Sequence, residues 1–173
     1  MGADDDDHHD EGDQGPPVEP EEPIVHTGVF VFEQDGSRYE GEFVELEGGR
    51  RVRQGQGRLV HGPQVYEGRW SGDAMCQGKL RFASGAVYEG SFVRGKFSGD
   101  GKYTWPDGSQ YVGTWRDNKM HGEGCYTDAR AVKWDGHFHN GTYNNGREFV
   151  TDVAEGGVPD DDNNSGPAAA TDS

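Results

Sequence analysis

The chain is poor in cysteine, in long apolar runs and in bulky aliphatic side chains. Its two cysteines, Cys76 and Cys125, form no CxxC pair and lack the spacing of a zinc site or a disulfide framework, which favours a reducing compartment. No apolar run approaches the ~20 residues needed to cross a bilayer, and the first residues lack the basic region and apolar run of a signal peptide. These absences predict a soluble, cytoplasmic protein.

Glycine and aromatic side chains are what the sequence has instead. It contains 29 glycines among 173 residues, so a thick core of Leu, Ile and Val is not expected. All aromatic residues (8 Phe, 7 Tyr and 4 Trp) lie between Phe30 and Phe149. This stretch is therefore predicted to fold, with the aromatic side chains forming most of the buried surface.

The net charge of −16 comes from the two ends of the chain. All 16 Lys and Arg lie between Arg38 and Arg147, and 16 acidic residues balance them within residues 28–149. The excess consists of 10 acidic residues in 1–27 and 6 in 150–173, where apolar content is too low to offset the entropy of ordering. We predict a disordered acidic tail over 1–27, a folded array over 28–149 and a second acidic tail over 150–173.

A five-residue phrase with a central glycine occurs five times in the folded segment. Its central glycines are separated by 27, 22, 23 and 23 residues. A period near 23, with a four-residue insertion after the first copy, indicates an internal repeat. The anchor residues of the five copies are Tyr39, Gly41, Phe43, Tyr66, Gly68, Trp70, Tyr88, Gly90, Phe92, Tyr111, Gly113, Trp115, Trp134, Gly136 and Phe138.

Each copy has the signals of a β-hairpin. Another glycine lies 11 to 13 residues before each central glycine, and turn dipeptides such as Asp35-Gly36 and Ser84-Gly85 lie between them. Because side chains alternate along a strand, the three anchors of a copy share one face, where the bare glycine leaves room for a neighbouring ring. The pattern predicts an all-β fold, an elongated single-layer antiparallel sheet of about five stacked hairpins. Its aromatic anchors are predicted to form the core and also the candidate interaction surface.

Several motifs that suggest chemistry have a simpler interpretation. Gly90 to Phe97 has the spacing of a phosphate loop but lacks the Ser or Thr that holds magnesium. His137 and His139 share a strand face without an evident third ligand, so we interpret them as exposed residues. The basic stretch 50–53 is interpreted as a charged loop. We therefore predict no catalytic residues, no cofactor, no metal and no nucleic-acid partner.

Acidic residues recur at the second position of the phrase, and two interpretations remain open. Glu40, Glu67, Glu89 and Asp135 could form a stripe for a basic partner. Alternatively, they keep the solvent-facing side of the sheet soluble and discourage edge pairing.

The phrase, followed by a polar connection and Gly-x-Gly, resembles the MORN repeat. The pattern is fullest in 111–124, and the resemblance covers about 28–144. Copies depart from it at Gln77-Gly78, at Val112, and in the fifth copy, which opens with Trp134 and lacks a turn glycine near Ala131. The resemblance, closest to short members without a catalytic domain, implies a twisted sheet of hairpins that assembles cytoskeletal, ciliary or membrane-associated complexes.

These observations predict a non-enzymatic scaffold or adaptor. Its expected partners are other proteins, cytoskeletal or axonemal by resemblance, and a second copy could add a strand at a terminal hairpin. The expected location is the cytoplasm and cytoskeleton, in the axoneme of a cilium or flagellum. The alternative is a peripheral membrane tether that binds anionic phospholipids, which the acidic tails disfavour.

Overall fold

The computed structural model describes residues 23–33, 35–144, 146–149 and 151. They form one antiparallel sheet of eleven strands that neighbour one another in chain order, which confirms the predicted all-β hairpin stack. A short 3-10 helix (Glu47–Gly49) connects β2 to β3. The strands are β1 (Val25–Val31), β2 (Arg38–Glu45), β3 (Arg51–His61), β4 (Gln64–Ser71), β5 (Ala74–Arg81), β6 (Val87–Val93), β7 (Lys96–Thr104), β8 (Gln110–Arg116), β9 (Lys119–Thr127), β10 (Lys133–His139) and β11 (Thr142–Tyr143).

The boundary predicted for the N-terminal tail is wrong by a few residues. β1 begins at Val25, so the tail predicted over 1–27 includes the start of a strand. At the other end, Thr142 forms an isolated bridge with Glu148, near the predicted end of the array at 149. The remaining parts of both predicted tails, residues 1–22 and nearly all of 150–173, lie outside the described residues.

Tight turns connect the strands both within and between hairpins. Within hairpins, Gly36, Gly85 and Gly108 adopt positive φ, as their turn dipeptides predict. Between hairpins the sequence predicts a loop, but the later connections are two-residue turns with two positive φ angles. Their residues are Gly72-Asp73, Arg94-Gly95, Asp117-Asn118 and Asn140-Gly141. Because two such angles suit the right-handed twist of paired strands, the chain continues as an uninterrupted meander.

A ladder of paired glycines runs across ten of the strands, from β1 to β10. The strand register places each glycine directly opposite the next. A Cβ atom on Gly113 would lie 2.7 Å from the Gly124 Cα atom, a distance that no ordinary side chain tolerates. Only glycine allows this approach. The ladder consists of Gly28, Gly41, Gly57, Gly68, Gly78, Gly90, Gly101, Gly113, Gly124 and Gly136.

Tyrosine rings lie over the glycine ladder on one side of the sheet, which we call the core face. A Cβ atom on Gly124 would lie 2.4 Å from the Tyr111 hydroxyl oxygen. That hydroxyl donates a hydrogen bond to the Thr114 carbonyl oxygen at 3.1 Å, and Tyr39 and Tyr88 each donate in the same way to the carbonyl three residues ahead. Thus each of these rings satisfies its polar group while covering bare backbone.

The core of this single layer forms between successive hairpins. Tyr88 contacts Trp115 of the next hairpin at 5.4 Å between ring centroids, and Tyr111 contacts Phe138 at 4.8 Å. Phe97 stacks on Tyr88 at 3.5 Å with an interplanar angle of 5°. Rings on the core face therefore cover one another and need no second layer, as expected for aromatic pairs in offset and edge-to-face geometry.

Candidate interaction surface

The aromatic anchors are core residues first. Nine of the ten are buried, and only Trp134 is half-buried. They hold the hairpins together by the ring contacts described above. Direct contact between these nine side chains and a partner would require the core face to open. As an interaction surface the aromatic anchors remain a prediction. Side chains on the opposite side of the sheet, which we call the outer face, are more exposed and are therefore better candidates.

Charges of alternating sign occupy the middle of the outer face. The strand register places acidic residues from one set of strands opposite basic residues from the intervening strands. Arg58 Nε lies 3.0 Å from Glu67 Oε1, and Lys79 Nζ lies 3.0 Å from Glu89 Oε2. We call this the charge row: Glu40, Arg58, Glu67, Lys79, Glu89 and Lys102.

The charge row decides between the two interpretations of the recurring acidic residues. A continuous acidic stripe for a basic partner does not form, because lysine or arginine lies between successive acidic residues. The row fits the interpretation of a soluble, self-neutralised surface. The repeated phrase does not include the basic residues, because they lie on the other strand of each hairpin.

The charge row ends at an apolar gap. Val112 and Cys125 occupy the next two positions, and Asp135 follows them. The Val112 side chain is 49% exposed. Burial, followed by the hydrogen bond that the thiol donates to the Asp135 carboxylate, raises the pKa of Cys125. Cys125 is therefore a poorly ionised thiol rather than a nucleophile.

A second row on the outer face contains mainly valine and threonine. Its charged members, Arg38, Arg81 and Lys133, are all basic. Val60, Val65 and most of the other uncharged members are partly exposed. Paired in register, the valine–threonine row consists of Val31, Arg38, Val60, Val65, Arg81, Val87, Thr104, Gln110, Thr127 and Lys133. The repeating phrase gives no signal for this row, since the row lies outside the phrase and mixes several residue types.

Arg53 overturns the interpretation of 50–53 as a charged loop. Residues 51–53 begin β3, and Arg53 is 1% exposed. Its Nε lies 3.2 Å from Asp73 Oδ1, and its guanidinium lies 4.6 Å from the centre of the Trp70 ring. An arginine that combines an ion pair with an aromatic stack can be buried. Arg53 is therefore part of the core and is not available for nucleic acid or lipid phosphates.

The described histidines and the segment with phosphate-loop spacing lie on strands and turns of the sheet. His137 Nδ1 lies 3.1 Å from Glu123 Oε1, and the His121 and His139 rings lie 5.2 Å apart. Within the described part of the chain, no three His, Cys, Asp or Glu residues are placed to hold a metal. Gly90 lies in β6, and the Arg94-Gly95 turn leads into β7 rather than into a helix.

Taken together, the glycine ladder, the interlocked core face and the open outer face define a single-layer β-hairpin repeat protein. Comparison with protein families identifies the repeat: residues 66–87, 88–110 and 111–130 each match the MORN repeat. The chain therefore contains three MORN repeats over residues 66–130. No curated protein matches the chain.

The MORN repeat is a non-catalytic module, and MORN repeats generally mediate protein or membrane interactions. The matched residues run from β4 into the turn after β9. The flanking strands β2, β3 and β10 continue the same glycine ladder outside the match. Across the described residues, no helix is long and apolar enough to cross a membrane.

Proposed function

We propose that this protein is a non-enzymatic scaffold or adaptor that binds another protein along its outer face. One observation carries the proposal: the core face is closed by its own rings, whereas the outer face presents two parallel rows across the sheet. An extended surface of this kind fits a partner that lies across several strands.

The chemistry of the two rows indicates what such a partner would carry. The valine–threonine row offers partly exposed β-branched side chains, and all its charges are positive. A partner with apolar side chains beside acidic ones complements that row. The charge row, which has three acidic and three basic residues, would contribute register and specificity more than affinity.

Catalysis is not part of this proposal. An enzyme needs different reactive groups that converge on one pocket. The charged groups of the charge row repeat from hairpin to hairpin along an open face, and those at Arg58–Glu67 and Lys79–Glu89 form ordinary ion pairs. This arrangement supports binding rather than turnover.

Proximity labelling with the full-length chain in cells tests the scaffold role. The variant Val65→Asp with Val87→Asp places two charges on the valine–threonine row, on either side of Arg81 in the register, so the fold should tolerate them. Val132→Asp, at an exposed turn position outside both rows, is the matched control. We expect the double variant to lose a set of neighbours that the control retains. Equal labelling by both variants would contradict binding through this row.

The cellular setting is proposed from the family resemblance. We place the protein in the cytoplasm, in a cytoskeletal assembly such as the axoneme of a cilium or flagellum. Fluorescent tagging in ciliated cells tests this placement, with Val65→Asp/Val87→Asp expected to become diffuse. A diffuse wild-type signal would remove the ciliary part of the proposal.

Membrane tethering is the second candidate, because MORN repeats also mediate membrane interactions and Arg38, Arg81 and Lys133 share one row. The acidic ends of the chain and the balanced charge row act against attraction to an anionic leaflet. Flotation with vesicles that contain phosphoinositides distinguishes the membrane tether from the protein scaffold. Salt-sensitive binding that is lost in Arg81→Glu would favour the tether over the scaffold.

A further inference from the structure

The two ends of the sheet differ in how their edges are protected. At the C-terminal end, β11 has only two residues, Glu148 bridges back to Thr142, and Phe149 packs on Tyr126 at 4.4 Å between ring centroids. At the N-terminal end, β1 has seven residues and pairs, within the described sheet, with β2 alone. Long edge strands normally carry a lysine, a proline or a bulge that prevents pairing. The sequence of β1, VHTGVFV, contains no lysine or proline, and its pairing with β2 is regular.

The hydrogen-bonding groups of β1 that face the free edge can be assigned from its turn. Phe32 donates its N–H to the Ser37 carbonyl, so Phe32 directs its backbone toward β2. Alternate residues of an antiparallel strand bond on the same side, so the other set, Val25, Thr27, Val29 and Val31, directs N–H and C=O groups to the open edge. The side chains of this set lie on the outer face, and the three valines are 51 to 52% exposed.

The sequence of β1 is arranged symmetrically about Gly28. If a second copy of β1 pairs antiparallel about a two-fold axis at Gly28, Val25 lies opposite Val31 and Thr27 lies opposite Val29 on the outer face. Gly28 lies opposite itself. This extends the glycine ladder into the second copy without a break.

The resulting junction has the geometry that the fold already uses between hairpins. The outward-facing residues form four pairs with about eight backbone hydrogen bonds, two for each pair. Gly28 would then occupy a closely spaced, non-hydrogen-bonded pair, as Gly113 and Gly124 do across a hairpin junction. Among the described residues only Phe43 lies near Gly28, where a Cβ atom would be 3.1 Å from Phe43 Cε1, so this part of the sheet leaves room for a close partner strand.

Other occupants of this edge fit it less well. The segment before β1 contains Pro16, Pro17, Pro20 and Pro23, which cannot donate to a strand ladder. Residues 152–173 are rich in Asp, Asn, Gly and Pro, which are depleted in strands. The C-terminal edge of another copy is too short and is already bridged by Glu148.

We infer that two copies of this chain associate through β1, paired antiparallel about Gly28, to form one continuous sheet. The association is independent of the proposed scaffold role, since it uses the edge of the sheet and leaves the interior of the outer face free. It pairs the open edge and brings the three exposed valines into cross-strand pairs with the second copy. An interface of this kind is two-fold symmetric and closed, so it yields dimers rather than filaments.

Sedimentation of the full-length chain, from micromolar to millimolar concentration, tests the inference. We expect a species of twice the 18.9 kDa chain mass. Val29→Pro removes an N–H that points away from β2, so the monomer fold should persist while the dimer Kd rises at least about tenfold. Val29→Thr keeps the N–H and the β-branch and should dimerise like the wild type. A monomer at every concentration, or an unchanged Kd in Val29→Pro, would overturn the inference.

Disulfide trapping tests the register without relying on the proline variant. In a background with Cys76→Ser and Cys125→Ser, Thr27→Cys combined with Val29→Cys should form a cross-linked dimer on mild oxidation, because residue 27 of each copy faces residue 29 of the other while Gly28 is left unchanged. The control Val31→Cys should not, since its two copies would lie about 20 Å apart along the paired strands. Equal cross-linking in the two variants, or none in Thr27→Cys/Val29→Cys, would contradict pairing about Gly28.

Discussion

The first hairpin junction, between β2 and β3, differs from the later junctions in the residue that packs against the last aromatic anchor. In the later junctions an apolar residue, Met75, Phe97 or Met120, faces the last aromatic anchor of the preceding strand. In the first junction Arg53 takes that position, opposite Phe43. The connection is also longer, with a 3-10 helix in place of a two-residue turn.

In both kinds of junction, a side chain from the next inter-hairpin turn accepts a hydrogen bond from a backbone N–H. Asp73 Oδ1 accepts a hydrogen bond from the Arg53 N–H at 2.8 Å, and Asn118 Oδ1 accepts one from the Phe97 N–H at 2.8 Å. Asp73 and Asn118 both have positive φ. The backbone contact is therefore common to the two junctions, whereas the facing side chain varies. The comparison indicates that the glycine ladder and the turn contact define the repeat.

The largest expected effect comes from the glycine ladder itself. Gly113→Val would place side-chain atoms against the Tyr111 hydroxyl, 2.5 Å from the Cβ position, and the Gly124 backbone, so we expect a loss of about 3 kcal/mol or more in the free energy of unfolding. Gly28→Ala, in the edge strand β1, should change it by less than about 1 kcal/mol because, in the part of the chain that the structure describes, the Phe43 ring alone is near. Urea unfolding of both variants measures the difference. Equal losses would show that the ladder is uniform and that tyrosine coverage is irrelevant.

A smaller loss is expected from the ion pair of the first junction. Asp73→Asn keeps the turn conformation and the backbone contact but removes the charge facing buried Arg53, so we expect a loss of about 2 kcal/mol. Combining it with Arg53→Phe reproduces the Phe97 and Asn118 pair and should recover most of that loss. Thermal unfolding of the single and double variants gives the coupling. No recovery in the double variant would show that the first junction requires its arginine.

High pH should weaken the sheet through its buried tyrosines. Burial raises the pKa of Tyr66 to about 12, and it raises the pKa of Tyr39, Tyr88 and Tyr111 further. The unfolded chain releases these protons near pH 10, before the folded protein does. Stability is therefore complete below pH 10 and falls above it, by up to about 1.4 kcal/mol per tyrosine for each pH unit.

Urea unfolding at several pH values between 8 and about 11.5 measures this slope. Tyr88→Phe should lower the slope by the contribution of one tyrosine, and Tyr39→Phe tests whether the first junction behaves alike. Tyrosinate absorbance reports ionisation directly. Ionisation of all tyrosines near pH 10 without loss of structure would contradict their burial in the folded state.

The smallest expected effect is a gain in stability at the last hairpin turn. Ala131 has a φ of 65° and occupies the turn position that Gly36, Gly85 and Gly108 occupy in other hairpins. Because a Cβ atom disfavours this conformation, Ala131→Gly should stabilise the protein by about 1 kcal/mol. Ala129→Gly in the same turn, where φ is not positive, should give no gain. Differential scanning calorimetry distinguishes the two, and equal melting temperatures for Ala131→Gly and the wild type would contradict the strain.

The repeat was predictable because one short phrase recurs with a constant spacing. Tyr111, Gly113 and Trp115 specify their strand, their face and their place in the core with local information alone. The start of β1 at Val25 was not predictable, since the strand lies before the first phrase and is short of aromatic residues. The prediction for residues 50–53 was wrong at Arg53 because a run of arginines usually indicates exposed side chains. The sequence does not show that Asp73, which is far away in the chain, lies beside Arg53 in the fold.

The sequence by itself determined the hairpin count, the period and the face on which the aromatic anchors lie, because strand alternation and turn chemistry act over a few residues. Only the tertiary structure decided which residues face one another across neighbouring strands. The charge row and the valine–threonine row depend on the register between consecutive strands, and the Arg53–Asp73 pair depends on a contact between β3 and the turn after β4. Register and this contact arise from the packing of whole hairpins.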